Sequence, residues 1–130
     1  MATVIALVPD LLFGSRLQGA LVAGGHELAL IGDEALLRAR LADGAAPRAD
    51  VLLVDLTDPD FDGPAIVESL LGGGELAGVR TLGFYSHVDA AARERAERAG
   101  FDQVVPRSRM AREGAALITR LASAPTQARG

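Results

Sequence analysis

The sequence contains no cysteine, no tryptophan and only two histidines among its 130 residues. Without cysteine there is no disulfide framework and no thiolate chemistry, which fits the reducing environment of the cytoplasm. Two histidines without cysteine also supply too few of the ligands that zinc prefers. These absences argue against a disulfide-stapled secreted scaffold and against a zinc site, so we expect a cytoplasmic protein.

Long apolar runs and an excess of positive charge are absent as well. No run approaches the roughly 18 residues that a membrane-spanning helix needs. No basic segment precedes the first apolar run, as it would in a signal peptide. The formal net charge is -4, which disfavours non-specific nucleic-acid binding. We therefore expect neither a membrane nor a nucleic acid among the partners.

The glycine patterns of nucleotide-binding proteins are missing too. The sequence has no G-x-G-x-x-G motif and no Walker lysine, and the triplet Gly72–Gly74 does not join a strand to a helix as a phosphate loop does. Nor does it offer a nucleophile–base pair. We therefore expect no organic cofactor, and a small α/β nucleotide-binding protein or enzyme is the third alternative for the function.

What the sequence does contain is a regular alternation of short apolar runs and amphipathic stretches. Hydrophobic residues make up 49% of the chain, enough for one domain with a sizeable core. The alternation predicts a flavodoxin-like α/β domain over residues 1–122, with five parallel strands in the order 2-1-3-4-5, helices on both faces, and a flexible polar tail over residues 123–130. The predicted strands are Val4–Val8, His26–Ile31, Val51–Asp55, Val79–Tyr85 and Gln103–Val105. The predicted helices are Leu11–Ala23, Glu34–Ala42, Pro64–Leu71, Ala90–Ala99 and a last helix, capped by Ser108, that carries Met110 to Leu121.

Polar residues before three of these helices indicate N-caps. Asp33 precedes the second helix, and either Asp62 or Gly63 precedes the third. Ser86 and Asp89 have the S-x-x-D spacing of a capping box at the start of the fourth helix.

The most apolar stretch of the chain runs into a carboxylate. Val51–Val54 is typical of a strand buried on both faces, and it delivers Asp55 to the rim of the sheet. Asp10 follows the first strand, and in the predicted order the first and third strands are neighbours. We therefore expect Asp10 and Asp55 to meet at the edge where such folds bind ligands.

Two adjacent carboxylates suit two kinds of chemistry. They repel each other unless a proton or a cation intervenes, and Mg²⁺ accepts carboxylate and backbone carbonyl oxygens. An aspartate can also attack phosphorus to form an aspartyl phosphate, with a nearby cation balancing the charge. Arg107, just after the fifth strand, is the candidate cation. Tyr85 or Ser86, after the fourth strand, is the candidate hydrogen-bond donor to a phosphoryl oxygen.

Over roughly residues 3–122 the chain resembles the receiver domains of two-component response regulators. The resemblance lies in Asp55 with Pro59 four residues on and Gly63 eight residues on, in Asp10, and in the stretch Ala99–Asp102 before the fifth strand. It implies a stand-alone signalling domain that is no enzyme beyond its own phosphorylation and dephosphorylation at Asp55. It also implies a metal site formed by Asp10, Asp55 and the backbone carbonyl of Thr57, and a histidine kinase or a downstream effector as protein partner.

The sequence departs from the receiver pattern at five positions, one of which is Ser108 in place of the proline that usually follows the lysine. Pro9 replaces the first of two acids, which should weaken Mg²⁺ binding. Tyr85 stands where a Thr or Ser is usual, with Ser86 one residue later. Arg107 replaces the invariant lysine, and a planar guanidinium is not equivalent to an ammonium in a tight site. Val104 replaces an aromatic switch residue. The resemblance therefore also allows a pseudo-receiver that works as a phosphorylation-independent adaptor or dimerisation module.

Each candidate residue has a simpler alternative role. Asp55 could merely accept hydrogen bonds from loop amides, Asp10 could cap the first helix, and Arg107 could form a salt bridge with Asp55 itself. His87 could cap a helix or lie on the surface instead of serving a pH or phosphate role. The family's output surface would include Met110 and the alanine-rich fourth helix as candidate partner contacts.

Overall fold

The computed structural model describes residues 1–124 and contains five strands and five helices that alternate along the chain. Ser123 belongs to the last helix, and the rest of the predicted tail lies largely outside the described residues. No helix in residues 1–124 is long and apolar enough to span a membrane. The strands are β1 Thr3–Leu7, β2 Glu27–Ile31, β3 Val51–Asp55, β4 Arg80–Tyr85 and β5 Gln103–Pro106. The helices are α1 Leu11–Ala23, α2 Glu34–Ala42, α3 Gly63–Gly72, α4 Ala90–Ala99 and α5 Arg107–Ser123.

All five strands are parallel and form one sheet in the order β2-β1-β3-β4-β5. This confirms the predicted fold and strand order. The central strand β3 pairs with β1 through Leu7 and Val54 and with β4 through Asp55 and Phe84. Because parallel strands end at the same edge, the residues that follow β1, β3, β4 and β5 gather at the carboxyl edge of the sheet.

The strand β3 is buried on both faces because helices cover both sides of the sheet. Val51 and Leu53 point into one core with α1 and α5, whereas Leu52 and Val54 point into a second core with α2, α3 and α4. Each of these four side chains is fully buried. An uninterrupted Val/Leu run is what a two-sided parallel strand requires.

Met110 lies in the core on the α1 and α5 side and is only 1% exposed. Its prediction as a partner contact is therefore wrong, since a buried side chain cannot touch another protein without unfolding. The apolar side chains of α5 pack against the sheet, so they are buried in the core.

The helix starts follow the predicted caps in two cases out of four. Asp33 accepts a hydrogen bond from the Leu36 amide, and Asp62 accepts one from the Ala65 amide, as N-caps should. These contacts settle the alternative between Asp62 and Gly63 in favour of the aspartate.

The other two predicted caps are wrong. The cap of α4 is Asp89, which accepts from the Ala92 amide, whereas the Ser86 carbonyl only closes a turn with the Asp89 amide. Helix α5 begins at Arg107 directly after Pro106 and has no side-chain cap. Ser108 already lies within its first turn, so its hydroxyl comes too late to cap it.

Candidate functional site

Asp55 closes β3 and is 2% exposed. Its Oδ1 accepts hydrogen bonds from the Thr57 amide at 2.7 Å and from the Thr57 hydroxyl at 2.6 Å. Within residues 1–124, no hydrogen bond reaches its Oδ2. The carboxylate is therefore oriented by one oxygen, and the other oxygen has bonding capacity left.

The buried position governs the protonation of Asp55. Burial raises the pKa of its carboxyl group above the ordinary value of 3.8, because removal from water penalises the charged form. The two Thr57 hydrogen bonds and the charge of Arg107 act in the opposite direction, and Asp58 adds a small further increase. The net direction is upward, so Asp55 holds its proton more tightly than an exposed aspartate.

Asp10 lies at the same edge in a different environment. It is the N-cap of α1, where its Oδ1 accepts hydrogen bonds from the Leu12 and Phe13 amides at 3.0 and 3.1 Å. Its Oδ2 lies 3.3 Å from Nη2 of Arg107. The Phe13 amide is the main cause that lowers the pKa of Asp10, and the Leu12 amide and Arg107 lower it further. Asp10 therefore caps α1, which is the alternative role predicted for it. Both of its carboxylate oxygens have partners.

Arg107, the first residue of α5, reaches towards α1 and not to Asp55. Its guanidinium carbon lies 4.0 Å from the ring centroid of Phe13, within cation–π range. The Phe13 ring in turn lies 5.1 Å from that of the buried Phe84. The predicted salt bridge between Arg107 and Asp55 is wrong: among the described residues the ion pair of Arg107 is with Asp10. The carboxylate is the N-cap of α1 and the ring lies in the first turn of that helix, so both partners of Arg107 come from the start of α1.

A cavity of about 380 Å³ lies beside Arg107 at the carboxyl edge. It brings together three of the predicted candidates, Thr57, Ser86 and Arg107, whereas Tyr85 is buried and does not line it. The exposed His87 is at the same cavity. The lining residues are Phe13, Thr57, Ser86, His87, Arg107, Ser108 and Ala111.

Two contributions to this site escape the sequence pattern. The helical spacing of Phe13 predicts a core residue, and nothing in that spacing signals that its ring also holds Arg107. The resemblance to receivers implies a role for the backbone carbonyl of Thr57, but its amide and hydroxyl are what bind Asp55. The Asp-x-Thr spacing, which permits a hydrogen-bonded turn, is the signal that could have revealed the second contribution.

The acidic loop after β3 behaves as a solvated loop with a helix cap. The Asp58 carboxylate accepts from the Asp60 amide at 2.8 Å. Asp62 caps α3 and pairs with Arg95 at 2.7 Å. The Ala65 amide and then Arg95 lower the pKa of Asp62. The partners of Asp58 and Asp62 thus come from the protein itself.

The donor set at this edge does not fit a divalent metal ion well. Pro9 offers no carboxylate, both oxygens of Asp10 already accept hydrogen bonds, and one oxygen of Asp55 is held by Thr57. Residues 1–124 contain no group of three or more acidic or histidine side chains placed to hold a metal ion. The predicted ligand set of Asp10, Asp55 and the Thr57 carbonyl therefore stays a prediction that the side-chain contacts do not favour.

Comparison with solved structures places the fold among response-regulator receivers. FixJ-N is 19% identical, with a TM-score of 0.80 and 98% of each chain covered. The receiver domain of sensor histidine kinase PA1611 from Pseudomonas aeruginosa, which has a magnesium ion coordinated in its active-site cleft, is 15% identical, with a TM-score of 0.79 over 95% of this chain and 98% of that one. The phosphorylated cyanobacterial phytochrome response regulator RcpA is 16% identical, with a TM-score of 0.79 and 96% of each chain covered.

No family model matches the sequence. No curated protein matches it either. The chain thus has the fold of a receiver domain.

Proposed function

We propose that this protein is a receiver-type signal-transduction domain that acts by binding another protein and is switched by phosphorylation of Asp55. The observation that supports this most directly is the state of Asp55. It ends the central strand, it is buried, one oxygen is fixed by Thr57, and the other accepts no hydrogen bond in residues 1–124. A nucleophile that is held in one orientation with a free lone pair suits attack on a phosphoryl group.

The proposed reaction is the transfer of one phosphoryl group to the carboxylate. A carboxylate oxygen of Asp55 attacks the phosphorus of a phosphodonor, the bond from phosphorus to the leaving group breaks, and the leaving group departs with the electron pair. The product is an aspartyl phosphate, with more negative charge at a buried position than before. Ser86 and Arg107, which line the adjacent cavity, would donate hydrogen bonds and charge to the phosphoryl oxygens.

The protein partners of this switch are proposed to be a histidine kinase as phosphodonor and a downstream effector as receiver of the signal. A change of charge at Asp55 can shift a two-state equilibrium only through differential contacts in the two states. The solvent-exposed Arg and Glu side chains of α4 and the surface of α5 are the proposed effector contacts, with Met110 excluded because it is buried.

A second function, a phosphorylation-independent adaptor or dimerisation module, is favoured by a separate observation. Arg107 is already bound to Asp10 and Phe13, and among the described residues it makes no ion pair with Asp55. A site whose cation is held elsewhere would respond poorly to a new phosphoryl group. In this case the protein would bind its partner in a single conformation.

Incubation in the presence of Mg²⁺ with acetyl phosphate and, separately, with beryllofluoride distinguishes the two functions. We expect the intact mass to increase by one phosphoryl group with acetyl phosphate and the melting temperature to change with beryllofluoride. The variant Asp55→Asn should show neither effect, whereas Asp58→Asn, which alters an acid three residues further on in the exposed loop, should respond like the wild type. No difference between wild type and Asp55→Asn with either reagent would refute the phosphorylation switch and leave the adaptor function.

A further inference from the structure

Among the described residues at the carboxyl edge, Arg107 is the cation that contacts both a carboxylate and an aromatic ring of α1. Its Nη2 lies 3.3 Å from Oδ2 of Asp10, and its guanidinium carbon lies 4.0 Å above the Phe13 ring. Phe13 is itself fixed, because it is 8% exposed and its ring packs against Phe84. The guanidinium therefore lies on a rigid platform.

We infer that Arg107 acts as a built-in counter-ion that takes the place of a divalent metal ion at this edge of the sheet. The inference rests on the proposed function only in treating the surroundings of Asp55 as the functional site. It concerns how the negative charge there is balanced, whether or not Asp55 is phosphorylated.

The oxygens of Asp10 provide the first argument. A carboxylate that binds Mg²⁺ must offer a lone pair to the ion. Oδ1 of Asp10 accepts two amide hydrogen bonds from the first turn of α1, and Oδ2 accepts one from Arg107. Oδ2 keeps a second lone pair, but a metal ion bound there would lie beside the positively charged guanidinium, whose Nη2 is 3.3 Å from that oxygen.

Tethering provides the second argument. The Asp10–Arg107 pair is partly exposed, with side chains 45% and 41% accessible, and an isolated pair of this kind is weak. Arg107, however, is held by the chain and by the Phe13 ring as well. The guanidinium is therefore placed beside Asp10 in advance, and a metal ion must compete with a group that loses little freedom when it pairs.

Charge provides the third argument. The guanidinium of Arg107 lies 3.3 Å from the Asp10 carboxylate, so a positive charge already stands where a metal ion bound to Asp10 would lie. A divalent cation placed beside it would be repelled. The 13 lysine-or-arginine positions of the chain are all arginines, which do not lose their charge at any physiological pH, so this repulsion is permanent.

A titration with Mn²⁺, followed by the loss of its free electron-paramagnetic-resonance signal, tests the inference directly. We expect no saturable binding to the wild type in the low millimolar range and binding at least about tenfold tighter in Arg107→Gln, because the variant frees Oδ2 of Asp10 and removes the repelling charge. Glutamine keeps part of the aliphatic stem of Arg107, and a melting curve checks that the variant is folded.

Arg109→Gln is the matched control. Arg109 lies in the same first turn of α5, is similarly exposed and pairs with Glu113, so the substitution changes the net charge equally without touching Asp10. It should leave Mn²⁺ binding unchanged, and the double variant Asp10→Asn/Arg107→Gln should return to the weak binding of the wild type. Tight binding by the wild type, no gain in Arg107→Gln, or an equal gain in Arg109→Gln would each overturn the inference.

The titration also separates this inference from the proposed function. Mn²⁺ binding reports on Arg107 and Asp10 and does not require a phosphoryl group. A protein that is not labelled by acetyl phosphate but gains a Mn²⁺ site in Arg107→Gln would contradict the phosphorylation switch and support the built-in counter-ion. Labelling at Asp55 together with tight Mn²⁺ binding by the wild type would support the phosphorylation switch and contradict the built-in counter-ion.

Discussion

Asp10 and Asp55 are the same residue type at the same edge of one sheet, and their surroundings shift their pKa values in opposite directions. Asp10 is solvent-exposed, receives two helix amides and pairs with Arg107, so its pKa falls. Asp55 is removed from water and, within residues 1–124, receives hydrogen bonds only from Thr57, so its pKa rises. Position in the fold thus tells us where the carboxylates lie, whereas local solvation and amide donors decide the direction in which each pKa shifts.

The two aspartates are also linked through one cation. Arg107 binds Asp10 directly and acts on Asp55 only through its charge. Three sets of substitutions test this comparison. They change the Phe13 ring under Arg107, the Thr57 hydroxyl that binds Asp55, and the carboxylates of Asp10 and Asp55 themselves.

The largest expected effect comes from removal of the platform under Arg107. Phe13→Ala should lower the free energy of unfolding by about 3 kcal/mol, because it leaves a cavity beside Phe84. Urea denaturation measures this loss. The neighbouring Leu12 is 66% exposed, and Leu12→Ala should change the stability by less than about 0.5 kcal/mol. Equal losses of unfolding free energy in both variants would mean that the packing of Phe13 against Phe84 does not stabilise the protein.

A smaller effect is expected on the Asp55 side. Thr57→Val removes the hydroxyl that donates to Oδ1 at 2.6 Å, and we expect a loss of about 1 to 2 kcal/mol at pH 7, since a buried charged acceptor loses a donor. Thr57→Ser keeps a hydroxyl group and should recover most of the loss. Urea denaturation of the three proteins at pH 7 tests this, and a serine variant as unstable as the valine variant would show that the methyl group, not the hydrogen bond, matters.

The smallest effect is a pH dependence that has opposite signs at the two aspartates. The folded pKa of Asp55 lies above 3.8, so its charge destabilises the fold at neutral pH, and this penalty disappears as the pH falls through the folded pKa towards 3.8. Asp55→Asn should therefore be more stable than the wild type at pH 7, with a difference that shrinks towards pH 4. The folded pKa of Asp10 lies below 3.8, so its stabilising contribution is complete above that value and is lost as the pH falls through the folded pKa.

Urea denaturation between pH 7 and pH 3 measures both profiles. Asp10→Asn should be less stable than the wild type at pH 7 and should converge with it at the acid end of the range. If both variants were more stable than the wild type at pH 7, or both less stable, the predicted difference between the two carboxylates would be wrong.

The burial of β3 and two of the helix starts follow directly from the sequence, and particular residues show why. Val51–Val54 is apolar without interruption because helices cover both faces of β3. Asp33 and Asp62 are recognisable as caps because an N-cap is a local contact, made within three residues of its partner amide. Strand burial and N-caps depend on residues that are close along the chain, so the sequence pattern predicts them.

The contacts around Arg107 could not be predicted in this way. The hydrogen bond to Asp10 joins residues 97 positions apart, and no spacing rule selects Asp10 over Asp55 as the partner. The same holds for Ser86, whose spacing fits a cap although the turn that follows it moves the helix start to Asp89. For Arg107 a contact between distant elements made the choice, and for Ser86 the choice was made by the turn that the Asp89 amide closes.

The sequence by itself determined the alternating order of strands and helices, the burial of β3 and the arrival of Asp10 and Asp55 at one edge, because hydrophobic periodicity and strand ends are local properties. Only the tertiary structure decided which carboxylate binds Arg107, which oxygen of Asp55 is free and which direction each pKa takes. The reason is physical: ion pairs, ring contacts and desolvation depend on distances between residues that the chain brings together only when it folds.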